Sequence, residues 1–336
     1  MTDTGEQAQQ SISSSALGSA AKEELQQAAV ALRQRGQQLK EINGGYTKAE
    51  VAVTVDSAEE SAGTATVKVT EDTKLYFPDV QPGEPEFEEF ELPHVLTFNR
   101  TENGWLLHAD QAEVDVNGPA ATTQLNTPAP IIHPEPPYYP RPTDPPTEPE
   151  TVEGQREEGA ASTERPAVVE SGNKITAAGL SYSKMAQYAD RYWKRPNSDY
   201  RVYGNDCTNF ISQAMRAGGW GTTSGSAASR KNNKKWFYGS FTWTTSYTWA
   251  GAENWYWFAS RHSKRTKLQN NVWKLAYADV LQADWNRDNT IDHTMIVTAT
   301  GHNERYLTYH TSNTHNRKLS SLLAARPNAW WYVHRT

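Results

Sequence analysis

A proline-rich run in the middle of the chain most constrains its fold, because it separates two parts of unlike composition. Residues 127–150 contain ten prolines and few apolar side chains, a composition typical of extended, partly polyproline backbone. The chain of 336 residues is long enough for two ordinary domains and such a linker. We therefore predict a flexible tail over residues 1–20, a small domain over 21–118, a disordered acidic linker over 119–174 and a larger domain over 175–336.

The two parts differ in charge as well. Residues 1–174 hold 12 Lys and Arg against 30 Asp and Glu, whereas residues 175–336 hold 21 against 9. The acidic first half and the basic second half nearly cancel in the whole chain. A basic domain favours polyanionic surroundings, such as nucleic acid, anionic lipid or anionic cell-wall polymers, and charge alone does not choose among these. The small basic-aromatic patch at residues 231–236 is typical of solvated surface, so we predict no nucleic-acid binding.

Neither a membrane span nor an ordinary export signal is expected. No stretch approaches the roughly 18 apolar residues of a membrane-spanning helix. Residues 1–20 lack the basic and then apolar run of a secretory signal. The single cysteine, Cys207, excludes an intrachain disulfide and does not identify the compartment.

The first part of the chain predicts a small α+β domain. Apolar residues at helical spacing over residues 21–42 indicate one helix, which Gly44-Gly45 ends. Strand-like segments follow at residues 51–55, 64–77, 87–99 and 104–111. This order of elements resembles the cystatin-like and nuclear-transport-factor-like folds. Because the segment carries no catalytic constellation, we interpret it as a non-catalytic module that dimerises or docks another protein.

The segment around Cys207 predicts a loop that enters a helix. Asp206 is a suitable N-cap, and the apolar residues at 210, 211, 214 and 215 form a stripe at helical spacing. Cys207 would then lie in the first turn, where unpaired N–H groups and the helix dipole favour a thiolate and can hold an oxyanion. A buried structural cysteine is the alternative.

A histidine on a nearby strand is the candidate base. The sequence from Asp292 to Thr298 alternates like a strand, with His293 on the face shared by residues 295 and 297. A hairpin centred between Gly301 and His302 would place His293 opposite His310. That register suggests His310 as the group that orients the imidazole, with Asn313 as a further candidate.

These residues carry a resemblance to a known family. The matching stretches are YADRYW at 188–193, DCTNFISQ at 206–213, DWNRD at 284–288 leading to Asp292-His293, and YHTSN at 309–313. They resemble the amidase domain found in secreted proteins of actinobacteria and other Gram-positive bacteria, which is related to papain-like cell-wall hydrolases. The resemblance implies a C-terminal helix packed on a small antiparallel sheet, with Cys207 as nucleophile, His293 as base and His310 as the third polar residue.

The resemblance also implies an activity and a location. It implies cleavage of an amide bond in a peptide or in peptidoglycan through an acyl-thioester, without a required cofactor. It favours an extracellular or cell-envelope location, although the absence of an export signal in this sequence leaves a cytoplasmic location open. Two alternatives are an acyltransferase that modifies proteins with the same cysteine and histidine, and a non-catalytic wall-binding module.

An acidic loop precedes His293. Asp284, Asn286, Asp288, Thr290 and Asp292 occur at every second position, a pattern that can wrap a calcium ion. A loop of solvated acids that only positions His293 is the other interpretation. If calcium binds here, we expect it to be structural.

Overall fold

One long helix and four long strands form the first half of the folded chain. The computed structural model describes residues 16–42, 44–114, 118–124, 160–169 and 179–336. Its first elements are α1 (Ser19–Glu41), β1 (Lys48–Ser61), β2 (Thr64–Tyr76), β3 (Phe87–Thr101) and β4 (Gly104–Ala112). The prediction of one helix followed by four antiparallel strands is therefore confirmed for this part of the chain.

The second half combines short helices with short strands. Its helices are α2 (Tyr182–Tyr192), α3 (Cys207–Ala217), α4 (Tyr247–Ala250), α5 (Ala252–Tyr256) and α6 (Leu319–Ala325), with a π-helical segment over Trp257–His262 and 3-10 turns over Ala227–Ser229, Thr242–Thr244 and Val272–Lys274. Its strands are β5 (Lys267–Gln269), β6 (Val280–Asp284), β7 (His293–Thr300), β8 (Arg305–Tyr309), β9 (Thr314–Lys318) and β10 (Trp330–Arg335). None of the described helices is long and apolar enough to cross a membrane.

All ten strands belong to one antiparallel sheet, so the fold is α+β. The strand order is β1-β2-β3-β9-β8-β7-β6-β10-β5, and β4 also pairs with β3. The two halves of the chain join where β3 pairs with β9, at Glu89 with His315 and at Phe90 with Thr314. This arrangement differs from the predicted tethered domains, because backbone hydrogen bonds join the halves directly. The finer likeness to cystatin-like and papain-like folds stays a prediction.

The ends of the predicted linker and tail are folded. Residues 118–124 and 160–169 pack on the C-terminal half, where the Ala120 carbonyl accepts a hydrogen bond from Arg317 and the Ala161 amide donates to the Trp331 carbonyl. Leu17 bridges to Leu107 of β4. The rest of the predicted tail (1–15), together with 125–159 and 170–174 of the predicted linker, lies outside the described residues. The folded boundaries therefore extend beyond those that composition indicated.

Two cores lie on opposite faces of the C-terminal part of the sheet. The helix-side core contains Phe210 and Ala214 of α3 together with Ile296 of β7. The opposite core contains Met295 and Val297 of β7, together with side chains of β6, β10 and α6. Because successive side chains of a strand point to opposite faces, this division fixes which residues of β7 can face α3.

Candidate active site around Cys207

Cys207 is the first residue of α3, as the sequence predicts. Asp206 is the N-cap residue, and Gly218 is the C-cap. The apolar stripe of α3, at residues 210, 211, 214 and 215, is fully buried in the helix-side core. After Gly218 the chain turns through Gly219 with φ +106°, where a Cβ atom would lie 2.5 Å from the Gly179 carbonyl oxygen. Helix α3 is thus anchored along its whole length, and Cys207 is fixed at its start.

The cysteine sulfur lies beside the beginning of β7. Its thiol donates to Asn205 Oδ1 at 3.2 Å, and Sγ is 3.6 Å from Thr208 Oγ1 and 4.0 Å from the Asp292 carbonyl oxygen. Thr208 of α3 in turn contacts Thr294 of β7 through their hydroxyls, at 2.8 Å. The sulfur is therefore enclosed by the start of its own helix and by the backbone around residue 293.

The thiol is held in its neutral form. Cys207 is only 1% exposed, and burial raises the pKa of its thiol to about 12. Hydrogen bonds from Thr208 and from the backbone of Thr294 act in the opposite direction and favour the thiolate. Desolvation outweighs them because a buried anion loses its hydration. In the described arrangement the Cys207 thiol is therefore protonated and poorly reactive.

A small polar network covers the sulfur. Thr311 Oγ1 donates to Asn205 Oδ1 at 3.3 Å and accepts from the Asp206 amide at 3.1 Å. Thr311 and Ser312 have φ values of +63° and +67°. Such conformations are unusual, above all for the β-branched Thr311, and cluster at functional sites. The strained loop thus fixes Asn205, which accepts the hydrogen bond from the Cys207 thiol.

Replacing Asn205 with alanine is expected to make Cys207 more reactive. The substitution removes the acceptor that favours the neutral thiol and opens access to the sulfur. We expect a roughly fivefold faster alkylation by iodoacetamide at pH 8, since one neutral hydrogen bond contributes about 1 kcal/mol. The rate is measured by intact-protein mass spectrometry, with Asn303→Ala as the control at an exposed site. Equal rates in the two variants and the wild type would contradict a covering role for Asn205.

His293 begins β7, but its side chain points away from Cys207. Its ring lies 5.2 Å from the Tyr309 ring and 5.9 Å from the Trp285 ring, between centroids, and both neighbours belong to the opposite core. Its paired residue on β6 is Ala283, which also faces that core. His293 does share a face with Met295 and Val297 as predicted, yet Thr294 occupies the face that meets α3. The expected hydrogen bond between Cys207 and His293 is absent among the described contacts.

Burial strongly disfavours the charged form of His293. The side chain is fully buried, and neither ring nitrogen has a hydrogen-bond partner in the described part of the chain. Burial, with a smaller contribution from Arg326, lowers the pKa of the imidazole to about 3. In this arrangement His293 is therefore neutral, and its low pKa makes it a poor acceptor for the thiol proton.

His310 has a different role from the predicted one. Its Nδ1 lies 2.7 Å from Asp206 Oδ2 and its Nε2 lies 2.8 Å from the Tyr192 carbonyl oxygen, while its ring stacks on Phe210 with centroids 3.9 Å apart. Its ring therefore anchors the start of α3 and does not orient His293.

The cause of this difference is strand register. In β7 and β8, Ile296 pairs with Thr308 and Val297 with Leu307, beyond a bulge near the hairpin. This pairing is offset by one residue from the predicted alignment of His293 with His310. A one-residue offset exchanges the two faces of a strand, so the two imidazoles lie on opposite sides of the sheet.

Asn313, the other candidate for the third polar residue, contacts the first half of the chain. Its side-chain amide donates to Glu91 Oε2 at 3.0 Å, and its carbonyl accepts from the Glu91 amide at 3.0 Å. It therefore fixes β3 against the loop after β8 and does not reach His293.

The acidic loop is organised by its own backbone. Asp284 accepts from the amides of Arg287, Asp288 and Asn289 at 2.7, 3.3 and 3.0 Å, and Asp292 accepts from the Trp285 amide at 2.8 Å. Among the described residues, no group of three His, Cys, Asp or Glu side chains could hold a metal ion. The calcium site at Asp284, Asn286, Asp288 and Asp292 stays a prediction without structural support.

Sequence reasoning missed the polar network around the sulfur. Asn205, Thr294 and Thr311 all contribute to it. Asp206, which is the N-cap as expected, also forms a hydrogen bond with His310. The only sequence signal was local: Asn205-Asp206 directly precedes the cysteine. The partners of those side chains come from β7 and from the loop after β8, and their identities depend on strand register.

Comparison with known proteins defines the class of the second half. Residues 179–334 match the family described as "Putative amidase domain", so this part of the chain is similar to that family. This finding confirms the resemblance noted in the sequence.

Two curated relatives from Bacillus subtilis (strain 168) also align with the chain. The uncharacterized protein YhbB is 31% identical over 34% of this chain and 35% of its own length. The uncharacterized protein YjcM is 30% identical over 43% of this chain and 35% of its own length. The chain thus spans about a third of each relative. A crystal structure of Kfla4162 from Kribbella flavida aligns at 18% identity over 26% of this chain and 55% of that one, with a TM-score of 0.21, which is too low to support an argument about fold.

Proposed function

We propose that this chain is a cysteine amidase that cleaves an amide bond of a peptide, such as a peptidoglycan peptide, through a thioester on Cys207. The observation that carries the proposal is the position of the sulfur at the first residue of α3, beside the backbone of residues 292–294. A helix start favours both a thiolate and the oxyanion that forms when it attacks a carbonyl.

The chemistry requires two steps. The Cys207 sulfur attacks the carbonyl carbon, the C–N bond breaks, and the thiol proton passes through an imidazole to the leaving amine. Water then attacks the thioester, which releases a carboxylic acid and restores the thiol. We assign the imidazole to His293 because the backbone on both sides of it, at Asp292 and Thr294, lies next to the sulfur.

The proposed chemistry implies that the described arrangement is a resting one. The His293 side chain must move from its position between Trp285 and Tyr309 to the α3 side of the sheet before it can take a proton from Cys207. Burying an imidazole without a hydrogen-bond partner costs about 1–3 kcal/mol. The resting state is already destabilised by this amount, so the rearrangement needs correspondingly less free energy. Substrate entering the site would supply the remainder.

The test compares wild type with Cys207→Ala and His293→Ala on cell-wall preparations and on synthetic peptide amides. Mass spectrometry follows new amino and carboxyl termini, and we expect both variants to lose at least 99% of the activity. Cys207→Ser is the conservative control and is expected to be nearly as inactive, because a serine hydroxyl has no comparable acidity. Release of new termini by Cys207→Ala at the wild-type rate would rule out the proposal, and activity in His293→Ala alone would reassign the base.

An acyltransferase using the same thioester is a second candidate. The observation that favours it is the 1% exposure of Cys207, since a thioester sheltered from water persists until an amine reaches it. Adding hydroxylamine or a primary amine to the wild-type reaction distinguishes the two outcomes. A transferase gives the amide product in excess over the hydrolysed acid, whereas a hydrolase does not.

A further inference from the structure

A cleft between the two halves of the chain lies next to the proposed nucleophile. It has a volume of about 510 Å³, and Asp206 and His310 form part of its wall on the C-terminal side. Asp206 directly precedes Cys207. On the opposite side, the wall comes from β3 and from the segment after β4, including Glu91 and Glu113. A substrate that reaches the sulfur through this cleft therefore contacts both halves.

The wall from the first half is fixed in place. Strand β3 pairs with β9, and Glu91 bonds to Asn313 through both backbone and side chain at 3.0 Å. The Glu113 amide donates to the Pro93 carbonyl at 2.8 Å. Lys194, just after α2, forms ion pairs with Asp72 and Glu89 beside this junction. The first half of the chain therefore forms a fixed wall of the cleft.

The cleft is acidic, although the second half of the chain, which forms one of its walls, is basic. No Lys or Arg is among the described residues that line it, although the second half of the chain has a large excess of basic residues. Glu91 and Glu113 form no salt bridge with a described residue, whereas Asp206 is paired with His310. The two glutamates therefore leave negative charge on the wall that faces the substrate path.

We propose that the first half of the chain is the specificity wall of the amidase site, and that Glu91 and Glu113 select substrates carrying a protonated amino group near the scissile amide. This inference rests on the proposed function, since the cleft selects a substrate only if Cys207 acts on it. A carboxylate that bonds to an ammonium group forms a charge-assisted hydrogen bond, which is stronger than a neutral one. Peptides with a lysine-like side chain have the required chemistry.

The experiment uses the full-length Cys207→Ala variant, which binds without turnover. Two peptides are compared by isothermal titration calorimetry: an N-acetylated tripeptide amide with a central lysine, and the same peptide with Nε-acetyl-lysine. We expect about tenfold tighter binding of the lysine peptide, and a smaller preference at high salt. Glu91→Gln and Glu113→Gln, each added to Cys207→Ala, are expected to remove most of this preference.

The controls separate specificity from folding. Glu102→Gln changes an exposed glutamate in the β3–β4 hairpin and is expected to keep the preference. Glu91→Gln retains an oxygen that accepts from Asn313, and the exposed Glu113 can be changed without touching the junction between β3 and β9. Equal binding of the two peptides, or an unchanged preference in both glutamine variants, would overturn the inference.

The outcomes for function and for specificity are distinguishable. If wild type releases no new termini from any substrate but Cys207→Ala still prefers the lysine peptide, the amidase proposal fails and the acidic cleft stands as a binding site. If wild type hydrolyses both peptides with equal kcat/KM, the amidase proposal is supported and the proposed role of the first half in substrate selection is wrong.

Discussion

Replacing Arg317 with alanine is expected to lower the free energy of unfolding by about 3 kcal/mol, because buried hydrogen-bond acceptors lose their donor. Arg317 is almost completely buried. Its Nη1 donates to the Ala120 carbonyl at 2.6 Å and to the Tyr309 hydroxyl at 3.2 Å. The guanidinium also favours the charged form of Glu88 on β3, a carboxyl whose pKa burial raises.

The loss is large because Arg317 joins several segments at the junction of the two halves. Arg35 of α1 lies in the same buried region and donates to the Thr122 carbonyl at 3.2 Å and to the Ser321 carbonyl at 3.0 Å. Removing Arg317 leaves the buried Glu88 with less electrostatic compensation, and a buried polar group without a partner is costly.

Urea denaturation followed by far-UV circular dichroism measures the effect. The matched control is Arg195→Ala at an exposed position, where a change of less than about 0.5 kcal/mol is expected. The double variant Arg317→Ala with Glu88→Gln is expected to be less destabilised than the sum of its single variants, because the stranded carboxylate is gone. A loss below about 1 kcal/mol in Arg317→Ala would show that the buried network does not hold the halves together.

Replacing His293 with phenylalanine is expected to reduce the acid sensitivity of the fold. Burial lowers the pKa of this imidazole to about 3, below the value of about 6.5 in an unfolded chain. Between these two pKa values the unfolded state binds a proton that the folded state excludes. The contribution of the buried His293 to the free energy of unfolding is therefore fully present above about pH 6.5. It decreases as the pH falls towards 3.

The size of the effect follows from the pKa difference. One pKa unit corresponds to about 1.4 kcal/mol, so the His293 contribution is a loss of roughly 3 kcal/mol between pH 7 and pH 4.5. Phenylalanine preserves the ring packing against Trp285 and Tyr309 and cannot be protonated. We therefore expect the variant to lose roughly 3 kcal/mol less than wild type over this interval.

Urea denaturation at pH 7 and at pH 4.5 gives the two free energies of unfolding for each protein. Asp292 lies next to His293, and burial raises its carboxyl pKa to about 7, which acts in the opposite direction in both proteins. The comparison between variant and wild type isolates the imidazole for this reason, and His302→Phe is the control at an exposed ring. An identical pH dependence in His293→Phe and wild type would mean that His293 is not buried in the resting protein.

The two predictions concern the two features that separate this chain from a pair of tethered domains. The Arg317 network joins the halves, and the buried His293 keeps the proposed active site at rest. If substrate binding draws His293 to the α3 side of the sheet, it also removes a source of acid instability. The activation proposed for Cys207 and the stability of the fold are then coupled through one imidazole.

Local features of the sequence were sufficient to predict many of the helices and strands and the position of Cys207 at the start of α3. Helical spacing placed α1 and α3 within a few residues of their observed bounds, and alternation placed β1–β4 and β7. The cap, the apolar stripe and the glycines around Cys207 act over one or two turns of helix, so their effect can be read without knowing the rest of the fold.

Long-range pairing decided what the sequence alone left open. Whether His293 faces α3 depends on one residue of strand register, and a bulge near the β7–β8 hairpin sets that register. The proline-rich composition predicted a division of the chain near residue 127, but pairing of β3 with β9 places both halves in one sheet. The physical reason is common to both cases: side-chain period is local, whereas strand partners and register come from packing between segments distant in sequence.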